Sequence, residues 1–253
     1  AEAAISDSKV LGVGLVMPGP FGETGLSGTG SEFSLFHDVV PAEWFGEALG
    51  CPVIVENDAN AAAVAERVAG VAGGLETFAF LYFGTGLGLG LVQRGRLVTG
   101  AFGNAGEIGH IPIASNGRTV PLESALSRLS VQRHLAKHGV EVDGSDHLAA
   151  LFEDRNAALM DWLAVAGEAL SNAVTVVENV FDPQTVILGG AMPDAVLDHL
   201  IVSVDLAERS VSNRPGRKTD RLMRGASGRM TGTLGAGALI INRAFTPRIA
   251  AVS

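Results

Sequence analysis

Short apolar segments alternate with helix-forming segments along this chain, and this alternation limits the possible folds more than any other feature. Each apolar segment is rich in Val, Ile and Leu and ends at Gly, Pro or polar residues, which is typical of buried strands. Strands that alternate with helices indicate an α/β fold with a mainly parallel sheet. The predicted strands are 10–16, 52–55, 77–83, 87–92, 96–98 and 185–188; the predicted helices are 44–49, 59–69 and 234–244, together with most of 123–180, where 160–180 is the strongest.

Glycine-rich loops follow three of the predicted strands, at Gly19, at Gly84–Gly86 and at Gly189-Gly190. In open α/β sheets, ligands bind beyond the carboxyl ends of the strands. We therefore expect a binding site where these loops come together.

Composition excludes several classes of protein. The chain has 253 residues, 47% of them hydrophobic, which is enough for a large core. Its net charge of −9 argues against broad nucleic-acid affinity. Cys51 is the single cysteine, so the chain can form neither an internal disulfide nor a thiolate metal cluster. No apolar run has the ~20 residues of a membrane helix, and residues 1–9 lack the pattern of a signal peptide. These features predict a cytoplasmic protein without a membrane partner.

A polar cluster follows the second predicted strand, where Glu56, Asn57, Asp58 and Asn60 precede an alanine-rich helix. One interpretation is helix capping, because Asp and Asn satisfy the free N–H groups at a helix start. The other is a functional site, because capping needs only one such residue and carboxylates at a strand end are candidate acid–base groups.

Two further glycine-rich turns have both a structural and a functional interpretation. The Gly84-Thr85-Gly86 turn is either a plain hairpin turn or a loop whose N–H groups bind phosphate oxygens. In the segment 103–110, Glu107 and His110 are either structural residues or a carboxylate and an imidazole that recognise the hydroxyl groups of a polyol.

These motifs, taken together and in this order, resemble the ROK family, whose name joins repressors, uncharacterised reading frames and sugar kinases. The resemblance implies an actin-like fold of two α/β lobes with a cleft between them. The lobes would divide at about residue 60, giving 1–60 as the remainder of the first lobe and 61–253 as the second. The segments that carry the resemblance are 13–20, 56–60, 84–88, 105–110 and 186–190.

The resemblance also implies roles for individual residues. Asp58 matches the catalytic base that accepts the proton of a sugar hydroxyl as that hydroxyl attacks the γ-phosphate of ATP. The implied substrate-binding residues are Gly19, Asn57, Glu107, His110 and Glu123. The implied cofactor is ATP with Mg²⁺, bound by Gly84, Thr85 and Gly86 at the phosphates and by Gly189 and Gly190 on the adenosine side.

The chain departs from the family pattern at a structural zinc site. In the family, the residue matching His110 joins three cysteines to bind zinc, and here Ala114, Asn116 and Pro121 replace all three. A tetrahedral zinc site needs four ligands, so we predict that no zinc is bound. Glu123 remains, but the zinc that would organise its loop is lost. We hypothesise that Pro121 stiffens the loop instead.

A second departure lies at the start of the chain. The Asp-Ile-Gly-Gly-Thr-like phosphate loop of the family does not occur in these residues. We therefore expect that the chain is part of a longer protein, or that its first lobe was lost, cut or left out. We also expect this piece alone not to be an efficient kinase.

Three functions stay open from the sequence. The first is an ATP-dependent kinase of a hexose or amino sugar, and the second is the sugar-effector domain of a ROK-type repressor that binds DNA through an upstream helix-turn-helix. The third is a remnant without a ligand. A homodimer is the general expectation for such folds. The basic run is interpreted as a solvated loop, with phosphate or partner contact as the alternative; it comprises Arg214, Arg217, Lys218, Arg221, Arg224 and Arg229.

Overall fold

A computed structural model describes residues 10–20, 40–115, 117–226 and 228–245, and the structural statements below refer to these residues. The strands are β1 Val13–Met17, β2 Val53–Asn57, β3 Phe78–Phe83, β4 Leu87–Gln93, β5 Arg96–Leu97, β6 Pro112–Ser115, β7 Arg118–Pro121, β8 Val186–Gly190 and β9 Leu222–Arg224. The α-helices are α1 Pro41–Leu49, α2 Asp58–Ala69, α3 Arg128–Lys137, α4 Gly144–Glu153, α5 Ala157–Phe181, α6 Asp194–Ser203 and α7 Thr231–Phe245.

The central layer is a five-stranded sheet with the order β5-β4-β3-β8-β9. Strand β3 pairs with β8 in parallel and with β4 in antiparallel orientation, and β9 runs parallel to β8. Strands β1 and β2 form a separate parallel pair in which Met17 lies beside Asn57. Strands β6 and β7 form a short antiparallel hairpin. The sheet is thus mixed, with a parallel centre and an antiparallel hairpin at one edge.

Most predicted elements are present, with shifted ends. Strand β2 continues to Asn57, and β8 includes Gly189 and Gly190, which the low strand propensity of glycine had excluded. Helix α1 begins earlier than predicted, at Pro41, because proline is well suited to the first helical position. Strands β6, β7 and β9 were missed because they are short and lack an apolar run. The residues 21–38, predicted to be irregular, fall outside the described residues.

The core lies on both faces of the central sheet. On one face, the 25-residue helix α5 covers β3 and β8, and Trp162 and Leu170 pack with Leu81 and Leu188. On the other face, small side chains of α2 pack against Phe78, Phe80 and Ile187. None of the helices in the described part of the chain is both long and apolar enough to cross a bilayer.

Helix α2 is held between β4 and α7 by direct contact of backbones. A Cβ atom at Gly90 of β4 would lie 2.3 Å from the carbonyl oxygen of Ala59, and one at Gly235 of α7 would lie 2.1 Å from that of Ala61. Helix α7 in turn lies against β1, since a Cβ atom at Gly14 would lie 2.1 Å from the carbonyl oxygen of Ala236. Only glycine permits approaches this close.

Two glycines of α7 are expected to respond to alanine in opposite directions. Gly235→Ala forces α7 away from α2 and should lower the free energy of unfolding by about 1–3 kcal/mol, as overpacking does. Gly237 is exposed and has no atom within 4 Å of its Cβ position. Gly237→Ala should therefore raise stability by about 0.5–1 kcal/mol through helix propensity. Urea denaturation of both variants tests the pair, and equal effects would contradict the contact between α2 and α7.

Four arginines of the basic run make intramolecular contacts rather than forming a free basic surface. Arg221 donates two hydrogen bonds to the fully buried carboxylate of Glu178, at 2.7 and 2.8 Å. Arg217 donates to the carbonyl oxygens of Ser212 and Thr219. Arg214 pairs with Asp182, and Arg224 pairs with Asp194 and Asp198. The interpretation as a solvated loop therefore holds only in part, and these arginines attach the loop to α5 and α6.

Loss of the buried ion pair should cost far more stability than loss of the exposed one. Although burial alone raises the pKa of Glu178, hydrogen bonds from Arg221 and Ser210 lower it below the ordinary value of 4.5. Glu178→Gln should lower the free energy of unfolding by about 3–5 kcal/mol, because Arg221 is left without its charge partner.

Asp182→Asn, which breaks the exposed pair with Arg214, should change the free energy of unfolding by less than about 1 kcal/mol. Because the folded-state pKa of Glu178 is lowered, its contribution is present at neutral pH and is lost as the pH falls through that lowered pKa. Thermal denaturation of both variants between pH 3 and pH 7 checks this, and a pH-independent difference for Glu178→Gln would contradict it.

Candidate functional site

The polar cluster after β2 both caps helix α2 and places polar atoms beside the loop that follows β1. Asn57 is the N-cap of α2, and its Oδ1 accepts hydrogen bonds from the N–H groups of Ala59 at 2.8 Å and Asn60 at 3.3 Å. Its amide nitrogen lies 3.1 Å from the Cβ position of Gly19, at the end of β1. Glu56 accepts hydrogen bonds from the backbone N–H of Asn57 and from the side chain of Asn60. The two interpretations of this cluster are therefore compatible.

Asp58 occupies the first turn of α2, where β2 ends. Its Oδ1 accepts the N–H of Ala59 at 2.8 Å, and its Oδ2 lies 3.5 Å from the Cβ position of Gly84. Burial raises the pKa of Asp58 above its ordinary value, and the backbone hydrogen bonds offset part of this rise. A carboxylate with a raised pKa is a stronger proton acceptor than an ordinary one.

Glu107 and His110 lie beside the end of β1. Glu107 Oε1 is 2.8 Å from the Cβ position of Gly19, so Gly19, Asn57 and Glu107 meet at one point. His110 Nε2 lies 3.6 Å from Glu107 Oε2, which is an ion-pair distance rather than a hydrogen bond. Burial raises the pKa of Glu107, and the charges of Asp58 and Glu123 raise it further, whereas His110 lowers it.

Glu123 reaches the same site from the short 3₁₀-helix Leu122–Ser124. Its Oε2 lies 2.4 Å from the Cβ position of Gly86 and 3.0 Å from that of Gly109. The β6–β7 hairpin leads into this 3₁₀-helix. There the Leu122 N–H donates to the Ile111 carbonyl at 2.9 Å, and Leu122 is buried. The segment is therefore positioned by backbone hydrogen bonds and core packing.

The donor set does not fit the zinc of the family pattern. Ala114 and Pro121 carry no side-chain ligand atom, and Asn116 lies outside the described residues. Across the rest of the described chain, no three or more His, Cys, Asp or Glu side chains are grouped so that they could hold a metal ion.

The Gly84–Gly86 and Gly189-Gly190 turns lie side by side at the carboxyl ends of β3 and β8, since Phe83 of β3 pairs with Gly190 of β8. The Gly84 N–H donates to the Gly86 carbonyl, which makes the first turn tight. Gly190 has a φ of 114° and packs on the backbone of Phe83, so it requires glycine. Gly189 lies within β8 against the ring of Phe80, so core packing also explains that residue.

Two residues that the sequence interpretation missed lie next to the Gly84–Gly86 turn. The ring of Tyr82 is 3.0 Å from the Cβ position of Gly84. Arg128, at the start of α3, donates its backbone N–H to the Gly84 carbonyl at 3.3 Å. Tyr82 could have been noted as the polar residue of an otherwise apolar strand, whereas the position of Arg128 depends on tertiary structure.

A cleft of about 280 Å³ lies beyond the second glycine turn. Met192 and Pro193 line it from the β8–α6 connection and Asp194 lines it from the start of α6. Its wall is completed by Ser145, Asp146, Ala149 and Gly228. The cleft therefore begins next to Gly190, on the same side of the sheet as the carboxyl ends of β3 and β8.

A model of the ROK family matches residues 5–243 of the chain. The chain belongs to the ROK family. This confirms the resemblance seen in the motifs, and the similar solved structures confirm the actin-like α/β fold class. The ROK hexokinase from Thermus thermophilus superposes with a TM-score of 0.68 at 28% identity, covering 94% of this chain and 82% of that one.

The curated relatives include both kinases and repressors. A glucokinase from Halalkalibacterium halodurans is 30% identical over 214 residues, which cover 75% of this chain and 64% of that protein. A xylose repressor from Caldicellulosiruptor bescii is 30% identical over 208 residues, which cover 74% of this chain and 52% of that protein. The ROK chain thus spans 52–64% of the length of these two relatives.

Replacement of Asp58 by asparagine should not lower stability at neutral pH. Burial raises the folded-state pKa of Asp58, so its ionised form destabilises the fold above the ordinary Asp pKa of 3.8. Asp58→Asn removes this charge, and its Tm at pH 7 should equal or exceed that of the wild type. The difference should shrink as the pH falls below 4, where the unfolded chain also binds the proton. A large loss of Tm at pH 7 would contradict this.

Proposed function

We propose that a protein containing this chain transfers the γ-phosphoryl group of ATP to a hydroxyl of a hexose or amino sugar. The observation that carries the proposal is the position of Asp58. Its Oδ2 lies 3.5 Å from the Cβ position of Gly84 in the Gly84–Gly86 turn, and Asp58 directly follows Asn57, whose amide nitrogen meets Gly19 and Glu107. The negative charge of Asp58 also acts on Glu107. A phosphate at the turn and a sugar at the polar group would meet at this carboxylate.

In this proposal Asp58 is the general base. Its carboxylate accepts the proton of the attacking hydroxyl, and that oxygen bonds to the γ-phosphorus while the bond to the β,γ-bridging oxygen breaks and ADP leaves. A positioned base is typically worth ~10²–10⁴-fold in rate. The raised pKa of Asp58 supports this role, because a carboxylate whose pKa lies closer to neutral pH accepts a proton more readily.

The sugar is proposed to bind to the polar groups around Gly19 and Gly86. Asn57 supplies an amide N–H donor, Glu107 and Glu123 supply carboxylate acceptors, and His110 supplies a ring nitrogen. Sugar hydroxyls both donate and accept hydrogen bonds, so this mixed set suits several hydroxyls of one ring. Three carboxylates, counting Asp58, give the site a negative charge that favours a neutral or cationic sugar over an acidic one.

The nucleotide is proposed to lie across the carboxyl ends of β3 and β8, along the two glycine turns. Phosphates would bind at Gly84, Thr85 and Gly86, and the adenosine would lie toward Gly190 and the neighbouring cleft. ATP would enter as its Mg²⁺ complex, and the metal neutralises phosphate charge when it is bound.

A second candidate is the sugar-effector domain of a transcriptional repressor. The similarity to the xylose repressor favours it, and the sugar-binding half of the site would serve a sensor equally well. DNA would then be bound by a helix-turn-helix upstream of this chain. A homodimer is proposed in either case, because two-fold dimers are the commonest soluble assemblies.

Sugar-dependent ATP turnover tests the proposal. The complete parent chain is assayed against a panel of hexoses and N-acetylated amino sugars, with Asp58→Asn as the variant. We expect one sugar to stimulate turnover and Asp58→Asn to lower kcat at least about 10²-fold, because the proton acceptor is lost.

The control for this assay is sugar binding, measured by the rise in Tm with sugar for both proteins. Unchanged sugar binding by Asp58→Asn would show that only the chemical step is affected. If a sugar binds to the wild type but none stimulates turnover, the kinase proposal fails and the repressor alternative replaces it.

A further inference from the structure

Arg128 is attached through its backbone to the proposed phosphate turn. It is the first residue of α3, and the N-cap Ser127 is buried and forms a capping box with Ser130. The Arg128 N–H donates to the Gly84 carbonyl and the Leu129 N–H donates to the Thr85 carbonyl, both at 3.3 Å. The start of α3 and the turn therefore form one hydrogen-bonded unit, and the Arg128 side chain leaves the backbone beside the turn.

The guanidinium group of Arg128 forms no ion pair within the part of the chain that the structure describes. Its Nε is buried and has no hydrogen-bond partner among the described residues. The arginines that hold the structure together elsewhere in the described residues have acceptors for their N–H groups, as Arg221 has in Glu178 and Arg217 in the carbonyl oxygens of Ser212 and Thr219. Burial of an unpaired guanidinium N–H costs free energy. Beside a proposed phosphate site, this unpaired donor is a group whose hydrogen bond an anionic ligand would satisfy.

The charge of Arg128 reaches the position of the proposed reaction. Burial raises the pKa of Tyr82, and the negative charge of Asp58 raises it further, whereas the positive charge of Arg128 lowers it. Tyr82 lies against Gly84, next to Asp58 Oδ2. Arg128 and Asp58 thus act on the same side chain at the same turn, with opposite charges.

The electrostatics of the site favour such a cation in addition to the Mg²⁺ that accompanies ATP. A nucleoside triphosphate at the Gly84–Gly86 turn brings several negative charges close to the carboxylates of Asp58 and Glu123, and these carboxylates repel the phosphates. A guanidinium group binds phosphate through two parallel charge-assisted hydrogen bonds and keeps its charge at any physiological pH.

We propose that Arg128 is a phosphate-binding residue that contacts the terminal phosphates of the nucleotide at the Gly84–Gly86 turn. The proposal rests on the proposed nucleotide site and goes beyond it, because it assigns the cation of that site to a residue outside the glycine motif. The ligand class is a polyphosphate ester, and the affinity that Arg128 supplies depends on the number of phosphates rather than on the base or the sugar.

Nucleotide binding by charge-matched variants tests the role of Arg128. The complete parent chain, saturated with its sugar, is titrated calorimetrically with AMP-PNP, ADP and adenosine. The variants are Arg128→Gln, Arg128→Lys and, as a control, Arg133→Gln, which removes an exposed arginine from the same helix. Arg128→Gln should weaken AMP-PNP binding by about 10- to 100-fold, the worth of one charge-assisted contact.

The pattern across ligands separates a contact from a structural effect. Adenosine affinity and sugar affinity should stay within about 3-fold for Arg128→Gln, Arg128→Lys should recover part of the lost affinity, and Arg133→Gln should resemble the wild type. Equal weakening of AMP-PNP and adenosine by Arg128→Gln would overturn the inference, since it would reveal a distorted site. Unchanged AMP-PNP binding by Arg128→Gln would overturn it while the proposed function stands.

The proposed function has its own distinct failure. A wild-type chain that binds sugar but neither AMP-PNP nor ADP would overturn the kinase proposal, and the inference on Arg128 would fall with it. The wild-type titration therefore decides the function, and the comparison of the variants decides the role of Arg128.

Discussion

Close backbone contact between α2 and its neighbours is the constraint on which the site depends. Helix α2 begins at Asp58, and its first turns lie against Gly90 of β4 and Gly235 of α7 with no room for a side chain. Such packing has no tolerance for a shift of the helix, because any displacement meets backbone atoms rather than adaptable side chains. The position of Asp58 relative to Gly84 is therefore a consequence of glycine and alanine at a few buried positions.

Charge is distributed in two different ways in this fold. Around α5 and α6, arginines and carboxylates form matched pairs, and the Glu178–Arg221 pair is the most buried of those described. At the carboxyl ends of β1 and β2, the carboxylates of Asp58, Glu107 and Glu123 converge, and their mutual repulsion contributes to the raised pKa of Glu107. Unmatched charges in partly buried positions destabilise a free protein, and they are the usual sign of a site that a ligand completes.

The β6–β7 hairpin shows how strand pairing and core packing can hold a segment in position. Ile113 of β6 pairs with Val120 of β7, and beyond the hairpin the Leu122 N–H donates to the Ile111 carbonyl. The buried side chain of Leu122 holds the following turn in the core. Glu123 consequently lies next to Gly86 although the cysteine positions carry Ala114 and Pro121. Strand pairing, which the sequence interpretation did not foresee here, positions the segment that carries Glu123.

The sequence by itself determined the α/β class, most strands and helices, and the family, because apolar periodicity and glycine motifs are local signals. It also predicted Gly19, Asn57, Glu107 and Glu123 as candidate site residues, which the structure brings close together, although not that Asn57 would both cap α2 and face Gly19. Only the tertiary structure decided the positions of Tyr82 and Arg128, the strands β6, β7 and β9, and the pairing of the basic run. These depend on contacts between residues far apart in the chain, such as Arg221 with Glu178. Such contacts leave no periodic pattern, since their energy comes from burial and charge pairing in the folded state.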